Sequence, residues 1–307
     1  MPVTEADYAE ILFADKHTTI EGIAAEVFTE MSLLVPILEG ISRFGWWFDS
    51  TSESYNATAL SKMDHVDLRS LPEFERTIAA KVRTSVKNMS VALFSEKSLT
   101  CYSAKTGSIK PSTGRALQSH LMSTVTGPLD RDARRLEKAL AWLKQHELLS
   151  TFGVQRLYAN FFAPRYIWDI DYLGMYKGRV IAFDIKHKYP SHDGQLGANG
   201  AISKLYEFLS RQGILVVYIV LLKPKQAANE SPVDLLRGTS SKWLACNAQS
   251  FASSEDQLKN KSGTGLAGDV PGNSRSISIE KFRTLQTPED LRSFLDDCLD
   301  GVESKPT

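Results

Sequence analysis

Three residues in the stretch WDIDYLGMYKGRVIAFDIKHK, Trp168 to Lys188, have the types and spacing to do chemistry: Asp171, Asp184 and Lys186. Side chains alternate across a strand, so Ala182, Asp184, Lys186 and Lys188 share one face, while Ile181, Phe183, Ile185 and His187 share the other. The apolar lead-in from Val180 to Phe183, with Ile185 after it, predicts a central strand. An Asp and a Lys two residues apart at the end of such a strand are costly to bury unless paired or liganded. Lys177-Gly178 has the composition of a tight hairpin turn, and Asp171 and Asp184 are about equally far from it. Folding there brings the two carboxylates close. Two carboxylates and a lysine suit Mg²⁺, which prefers oxygen ligands and binds through one or two carboxylates plus water and phosphate oxygens. Such a metal polarises a phosphoryl oxygen and acidifies a coordinated water. Lys186 is placed to orient that water or offset charge building on phosphorus.

The elements that must hold these residues follow from periodicity. Pro128 and Asp130 precede a predicted helix with Leu136, Leu140 and Leu143 on one face and Trp142 flanking it, closed by Gly153. Strands are predicted for Val154 to Phe162, Tyr166 to Tyr176 and Arg179 to Tyr189. A helix follows from Asn199 to Gln212, then a nearly continuous apolar run, Ile214 to Leu222, which predicts a strand buried on both faces. Residues 247–276, poor in large apolar side chains, read as a long mobile loop. A strand-like piece, Ile277 to Phe282, leads to a closing helix, Pro288 to Leu299.

Residues 1–125 read as a mostly helical region for recognition or partner binding. Thr18-Thr19 cap a helix with Ile20, Ile23, Ala24, Val27 and Met31 at helical spacing, ended by Pro36. Residues 73–88 repeat that pattern with Phe74, Ile78 and Val82. Asp49 to Ser61 and residues 102–114 read as polar loops. The chain thus divides into residues 1–125 and residues 126–307.

The order helix, three strands, helix, strand, together with Asp171 and Asp184-Ile185-Lys186, resembles the PD-(D/E)xK, or restriction-endonuclease-like, nuclease superfamily over roughly residues 130–225. The resemblance implies an α/β fold with a restriction-endonuclease-like core. It makes Asp171 and Asp184 the metal ligands, with Mg²⁺ the cofactor and Mn²⁺ a substitute, and Lys186 the aid to the attacking water. Glu137 matches an acidic residue that some members carry on the preceding helix. Residue 170 is Ile, so the Pro of the motif is absent, and Asp169 competes with Asp171 for the metal. Lys188, Gln195, Asn199, Lys204 and Tyr206 resemble polar residues that some branches place over the metal, as substrate contacts.

Other chemistries lack their residues. Cys101, Cys246 and Cys298 are odd in number and match no CxxC spacing, so neither a disulfide framework nor a zinc ribbon is supported. His17, His65, His120 and His146 lack partners at zinc-ligand spacing, and His187 reads as a core histidine. Lys105-Thr106-Gly107 has no SxxK before it, and no P-loop is present. The apolar stretch Leu33 to Phe48 is broken by Pro36, Glu39 and Arg43 and is shorter than the about 20 residues a crossing needs. The expectation is a cytoplasmic protein with no membrane partner.

The whole chain balances 36 basic against 36 acidic residues, which argues against a strongly basic nucleic-acid binder. The balance is uneven, however. Residues 165–225 carry nine Lys and Arg against five Asp and Glu, whereas residues 226–307 carry nine against twelve. The expectation is therefore a Mg²⁺-dependent nuclease, a DNA endonuclease before a ribonuclease, of restriction, anti-phage or mobile-element type. It would gain affinity from the metal, a specific contact, a homodimer or a partner subunit. The competing reading is an ordinary Asp–Lys ion pair in a catalytically silent fold used for nucleic-acid binding or assembly.

Overall fold

The computed structural model describes residues 22, 25–51, 54–62, 67, 70–95, 98–105, 108–111, 167–222, 242–252, 254, 257–259 and 272–303. The described fold is mixed α/β. The helix expected around Leu136 to Leu143, with Glu137 on it, and the strand expected at Val154 to Phe162 lie outside the described residues. The chain forms two compact units, residues 1–15 with 39–175 and residues 16–38 with 176–307. The sequence reading divides the chain at residue 125 instead.

The first unit is built on strands. They are β1 (Gly40–Ile41), β2 (Gly45–Ser50), β3 (Tyr55–Lys62), β4 (Asn88–Ser95), β5 (Ser98–Lys105), β6 (Ser108–Pro111), β7 (Ile167–Ile170) and β8 (Tyr172–Tyr176). Six of them make one sheet in the order β6-β5-β4-β3-β2-β7. Between β3 and β4, which run parallel, lies helix α1 (Glu73–Ser85). A parallel pair needs such a crossover, and α1 supplies it by burying Ile78 and Val82. Sheet residues Trp46, Phe48, Ala57, Ala59 and Val91 are buried in the same unit.

Among the described residues before residue 125 strands predominate, against the expectation of a mostly helical region. Helix α1 is present, but Asp49 to Ser61 enters β2 and β3, and residues 102–111 enter β5 and β6. The residues responsible are short and polar in sequence, and where β3 meets β4 polar side chains also pair. Thr58 and Ser90 hydroxyls lie 3.1 Å apart, and Asn88 Nδ2 donates to Asn56 Oδ1 at 2.9 Å. Ser, Thr and Asn favour loops when nothing pairs with them, and cross-strand partners override that preference.

The second unit holds β9 (Arg179–Lys188), β10 (Gln195–Asn199), β11 (Leu215–Leu222), β12 (Trp243–Asn247), β13 (Gln257–Lys259), β14 (Gly272–Ser278) and β15 (Arg283–Leu285). It also holds helices α2 (Gly200–Arg211) and α3 (Pro288–Glu303). Strands β9, β11, β12 and β15 lie side by side, and β10, β14 and β13 form a separate small sheet. Lys177 and Gly178 precede β9, both at positive φ as a type I′ turn requires. Strand β9 is buried from Val180 to Ile185, and β11 from Leu215 to Leu221, as their apolar runs predict. The two are parallel, with Asp184 opposite Tyr218, Lys186 opposite Val220 and Lys188 opposite Leu222.

Residues 247–276 are not one loop. Asn247 caps a 3₁₀ turn, Ala248–Phe251, whose Phe251 is fully buried, and β13 and β14 follow. Strand β14 pairs along β10, from Gln195 opposite Ser278 to Asn199 opposite Ser274. Its Ser-rich sequence carries no apolar periodicity of its own, and backbone pairing supplies the order.

Candidate active site

Strand β9 is buried from Val180 to Ile185, and Tyr206 of α2 reaches Asp184 on it. Asn199 starts α2 by accepting the backbone N–H of Ala201 at 2.9 Å, the ordinary N-cap bond. From there Ile202, Leu205, Tyr206 and Leu209 fall at helical spacing and are buried. That register aims Tyr206 at β9.

Asp184 is 1% exposed and takes one donor on each oxygen. Lys186 Nζ donates to Oδ1 at 2.5 Å, and the Tyr206 hydroxyl donates to Oδ2. The two donors differ in access. Tyr206 is completely buried, whereas the Lys186 side chain is 33% exposed. The carboxylate is therefore buried under both donors, and of the two only Lys186 extends toward solvent.

Two residues further along β9, Lys188 Nζ donates to the Gly197 carbonyl at 3.0 Å and contacts the Tyr218 hydroxyl at 3.4 Å. Tyr218 donates to the same carbonyl at 3.1 Å. Gly197 fits this crowded place because a Cβ there would lie 3.2 Å from Ser276 Oγ. Behind the polar strip, Tyr218 and Phe251 pack edge to face at 5.1 Å, and Tyr206 lies 6.4 Å from Phe251. Tyr218 and Phe251 were not legible as parts of a site. Tyr218 is the one hydroxyl in the apolar run Ile214 to Leu222, and that singularity is the available signal.

Burial and the neighbouring Lys186 charge push the Lys188 ammonium down to about 8, against an opposing pull from Asp184. The folded protein thus binds this proton less tightly than the unfolded chain, whose Lys titrates near 10.5. Below pH 8 both states are charged and the fold bears the full penalty. As pH rises from 8 to 10.5 the penalty is relieved, so this group makes stability rise with pH. Lys188→Met, which leaves Tyr218 to serve the Gly197 carbonyl, is expected to raise stability at pH 7 by about 1–3 kcal/mol. The gain should vanish near pH 10.5, as read by urea unfolding at the two pH values. An equal gain at both would show that the charge is not its source.

The remaining sequence candidates are placed as follows. Asp171 is buried between β7 and β8, and Asp169 lies on β7 opposite Trp47, both in the first unit. Asn199 serves as the α2 cap, and Gln195 opens β10 opposite Ser278. Lys204 is exposed on α2. Glu137 lies outside the described residues. The structure thus brings together Asp184, Lys186, Lys188 and Tyr206 within the second unit, and Tyr206 acts on the carboxylate rather than at the surface.

Among the described residues no group of three or more His, Cys, Asp and Glu is placed to hold a metal ion. Asp184 is a hard oxygen donor of the kind Mg²⁺ prefers, but it is buried and both of its oxygens are engaged, by Lys186 and by Tyr206. Among the described residues no helix is long and apolar enough to cross a membrane. No family model, curated protein or solved structure matches the chain.

Proposed function

We propose that this protein is a metal-dependent phosphodiesterase that hydrolyses nucleic acid, with DNA the favoured substrate and endonucleolytic cleavage the favoured mode. The observation that carries the reading is the Asp184–Lys186 pair, held side by side on one face of a buried strand with Lys186 partly exposed to solvent. Asp184 would hold the metal, whereas Asp171, the other ligand expected from the sequence, lies in the first unit. When bound, Mg²⁺ supplies Lewis-acid polarisation of the phosphoryl oxygen. The chain's own groups do the rest. Asp184 orients, Tyr206 keeps its carboxylate from rotating, and the Lys186 ammonium faces the developing negative charge. The excess of cations over residues 165–225 favours a polyanion as substrate. A role in restriction, defence or a mobile element rests on the superfamily resemblance alone.

A second reading has its own support. Both Asp184 oxygens are already engaged by protein donors, as a purely structural carboxylate would be in a silent nuclease-like fold that binds or assembles. One experiment separates the two. Wild type and Lys186→Ala are incubated with supercoiled plasmid, linear duplex and single-stranded RNA, with and without Mg²⁺. Cleavage by wild type that needs Mg²⁺ and is lost in Lys186→Ala supports the nuclease. Equal cleavage by both sinks the assigned role of Lys186, and cutting of RNA alone moves the substrate class.

A further inference from the structure

We propose that helix α1 of the first unit carries a nucleic-acid docking surface: Arg76, Lys81, Arg83 and Lys87, with Arg43 beside the start of the helix, hold the phosphate backbone of a duplex. The partner is that of the reading above, but these residues bind whether or not the second unit cleaves. The chain as a whole balances its charges, yet from Arg76 to Ser95 it has four cations and no acid. Buried Glu75, Ile78, Val82 and Ser85 recur at helical spacing and turn one side of α1 inward. Arg76, Ala80 and Arg83 follow at helical spacing on the other side, the first two exposed and Arg83 half-buried. Lys81 is half-buried beside this stripe, and Lys87 is exposed just past the helix end. Among the described residues none of these four cations is paired with a carboxylate. The exposed acid Glu73 opens the first turn, where a carboxylate complements the helix dipole. Arg76 Nη1 donates to the Leu71 carbonyl at 2.9 Å, and Glu75 Oε1 accepts the backbone N–H of Arg43. Those bonds fix the Arg76 side chain and the Arg43 backbone at one end of the stripe.

The residues between the cations choose the partner. They are Thr77, Ala80 and Thr84, all exposed, with no large apolar side chain among them. A helix that lies on a membrane needs a free apolar face, and that of α1 is already buried through Ile78 and Val82. A protein partner is held chiefly by large aromatic or apolar anchors, which this face lacks. A phosphate backbone asks only for cations and hydrogen-bond donors. At about 1.5 Å per residue, Arg76 and Arg83 stand about 10 Å apart along the helix, or about three phosphate steps of one strand.

The test measures binding with hydrolysis shut off. Anisotropy of a labelled duplex of about 20 base pairs is followed with the full-length protein in EDTA, from about 50 to about 200 mM salt. Each phosphate contact contributes about 0.9 to the slope of log affinity against log salt. Arg76→Gln/Arg83→Gln/Lys87→Gln should therefore lower the wild-type slope by about two to three, and weaken binding by about tenfold or more at the lower salt, alike for two unrelated sequences. Arg76→Lys/Arg83→Lys keeps the charge and should keep the slope. Lys242→Gln/Lys281→Gln/Arg292→Gln removes as many exposed cations from the second unit and should leave the slope in place. A wild-type slope in the α1 variant, or an equal fall in the second-unit variant, overturns the inference. So does a wild type that binds phosphatidylserine vesicles or polyglutamate but not the duplex. Acetylation footprinting of the wild type asks the same question without a substitution: duplex should shield Lys87, and undiminished labelling there overturns the proposal. Binding lost in the α1 variant, beside a wild type that cuts nothing in Mg²⁺, supports this inference and sinks the hydrolytic reading alone.

Discussion

On the proposed function, replacing Asp184 by Asn is expected to abolish divalent-cation binding and to lower Mg²⁺-dependent hydrolysis by at least about 10³-fold, the equivalent of losing several kcal/mol of transition-state stabilisation. The exchange is nearly isosteric and leaves the strand intact. One amide oxygen can still accept from Tyr206, whose buried hydroxyl would otherwise lose its acceptor. The amide nitrogen then faces Lys186, and that side chain, 33% exposed, can turn to water. The stability cost should therefore stay at about 1–3 kcal/mol, that of one disturbed buried hydrogen bond. Asp184→Ala should cost more, because it also removes the oxygen that accepts the Tyr206 hydroxyl. Activity assays paired with urea unfolding check both halves. Cleavage by Asp184→Asn at the wild-type rate would leave this carboxylate with a structural role only.

The second large effect concerns a residue with no chemistry of its own. Phe251→Ala is expected to destabilise the second unit by about 3–5 kcal/mol, the usual cost of emptying a large aromatic site. Phe251 is fully buried at the end of a 3₁₀ turn and packs against both Tyr206 and Tyr218. Removing it takes away the wall behind the Tyr206 ring and so loosens the donor on Asp184. The effects should be coupled. In a double-mutant cycle, Phe251→Ala and Tyr206→Phe should depart from additivity by about 0.5–3 kcal/mol, as residues in contact do. Hydrogen exchange of the β11 amides locates the loss in the second unit, since the protection of these central-strand amides reports the opening of that core. Additive losses would mean that the aromatic packing and the carboxylate are independent.

Part of this architecture is legible in the chain's residue pattern. The apolar run Val180 to Ile185 makes β9 legible as a buried strand, and period-two alternation then puts Asp184, Lys186 and Lys188 on one face. The same holds for β11, for α2 and for the closing helix α3, whose apolar residues recur at helical spacing. Helix α1 is visible for that reason too. The strands β3 to β6 are not, because Asn, Ser and Thr there become strand residues only when a neighbour pairs with them. Likewise β14 reads as a flexible Ser-rich tract until β10 lies beside it.

The sequence by itself therefore determined the local geometry of the candidate site: a carboxylate and two lysines at two-residue intervals on a buried strand, ahead of an amphipathic helix. Alternation and periodicity are properties of neighbouring residues and need no partner. Only the tertiary structure decided what those groups touch. It set Tyr206 on Asp184, put Lys188 with Tyr218 on the Gly197 carbonyl, and placed Phe251 behind the tyrosines. Those contacts join residues 9 to 45 positions apart, from Lys188 and Gly197 to Tyr206 and Phe251. Such distant pairs meet only once the helix has docked and the strands have paired, because loop closure and burial, not local propensity, fix which of them come together.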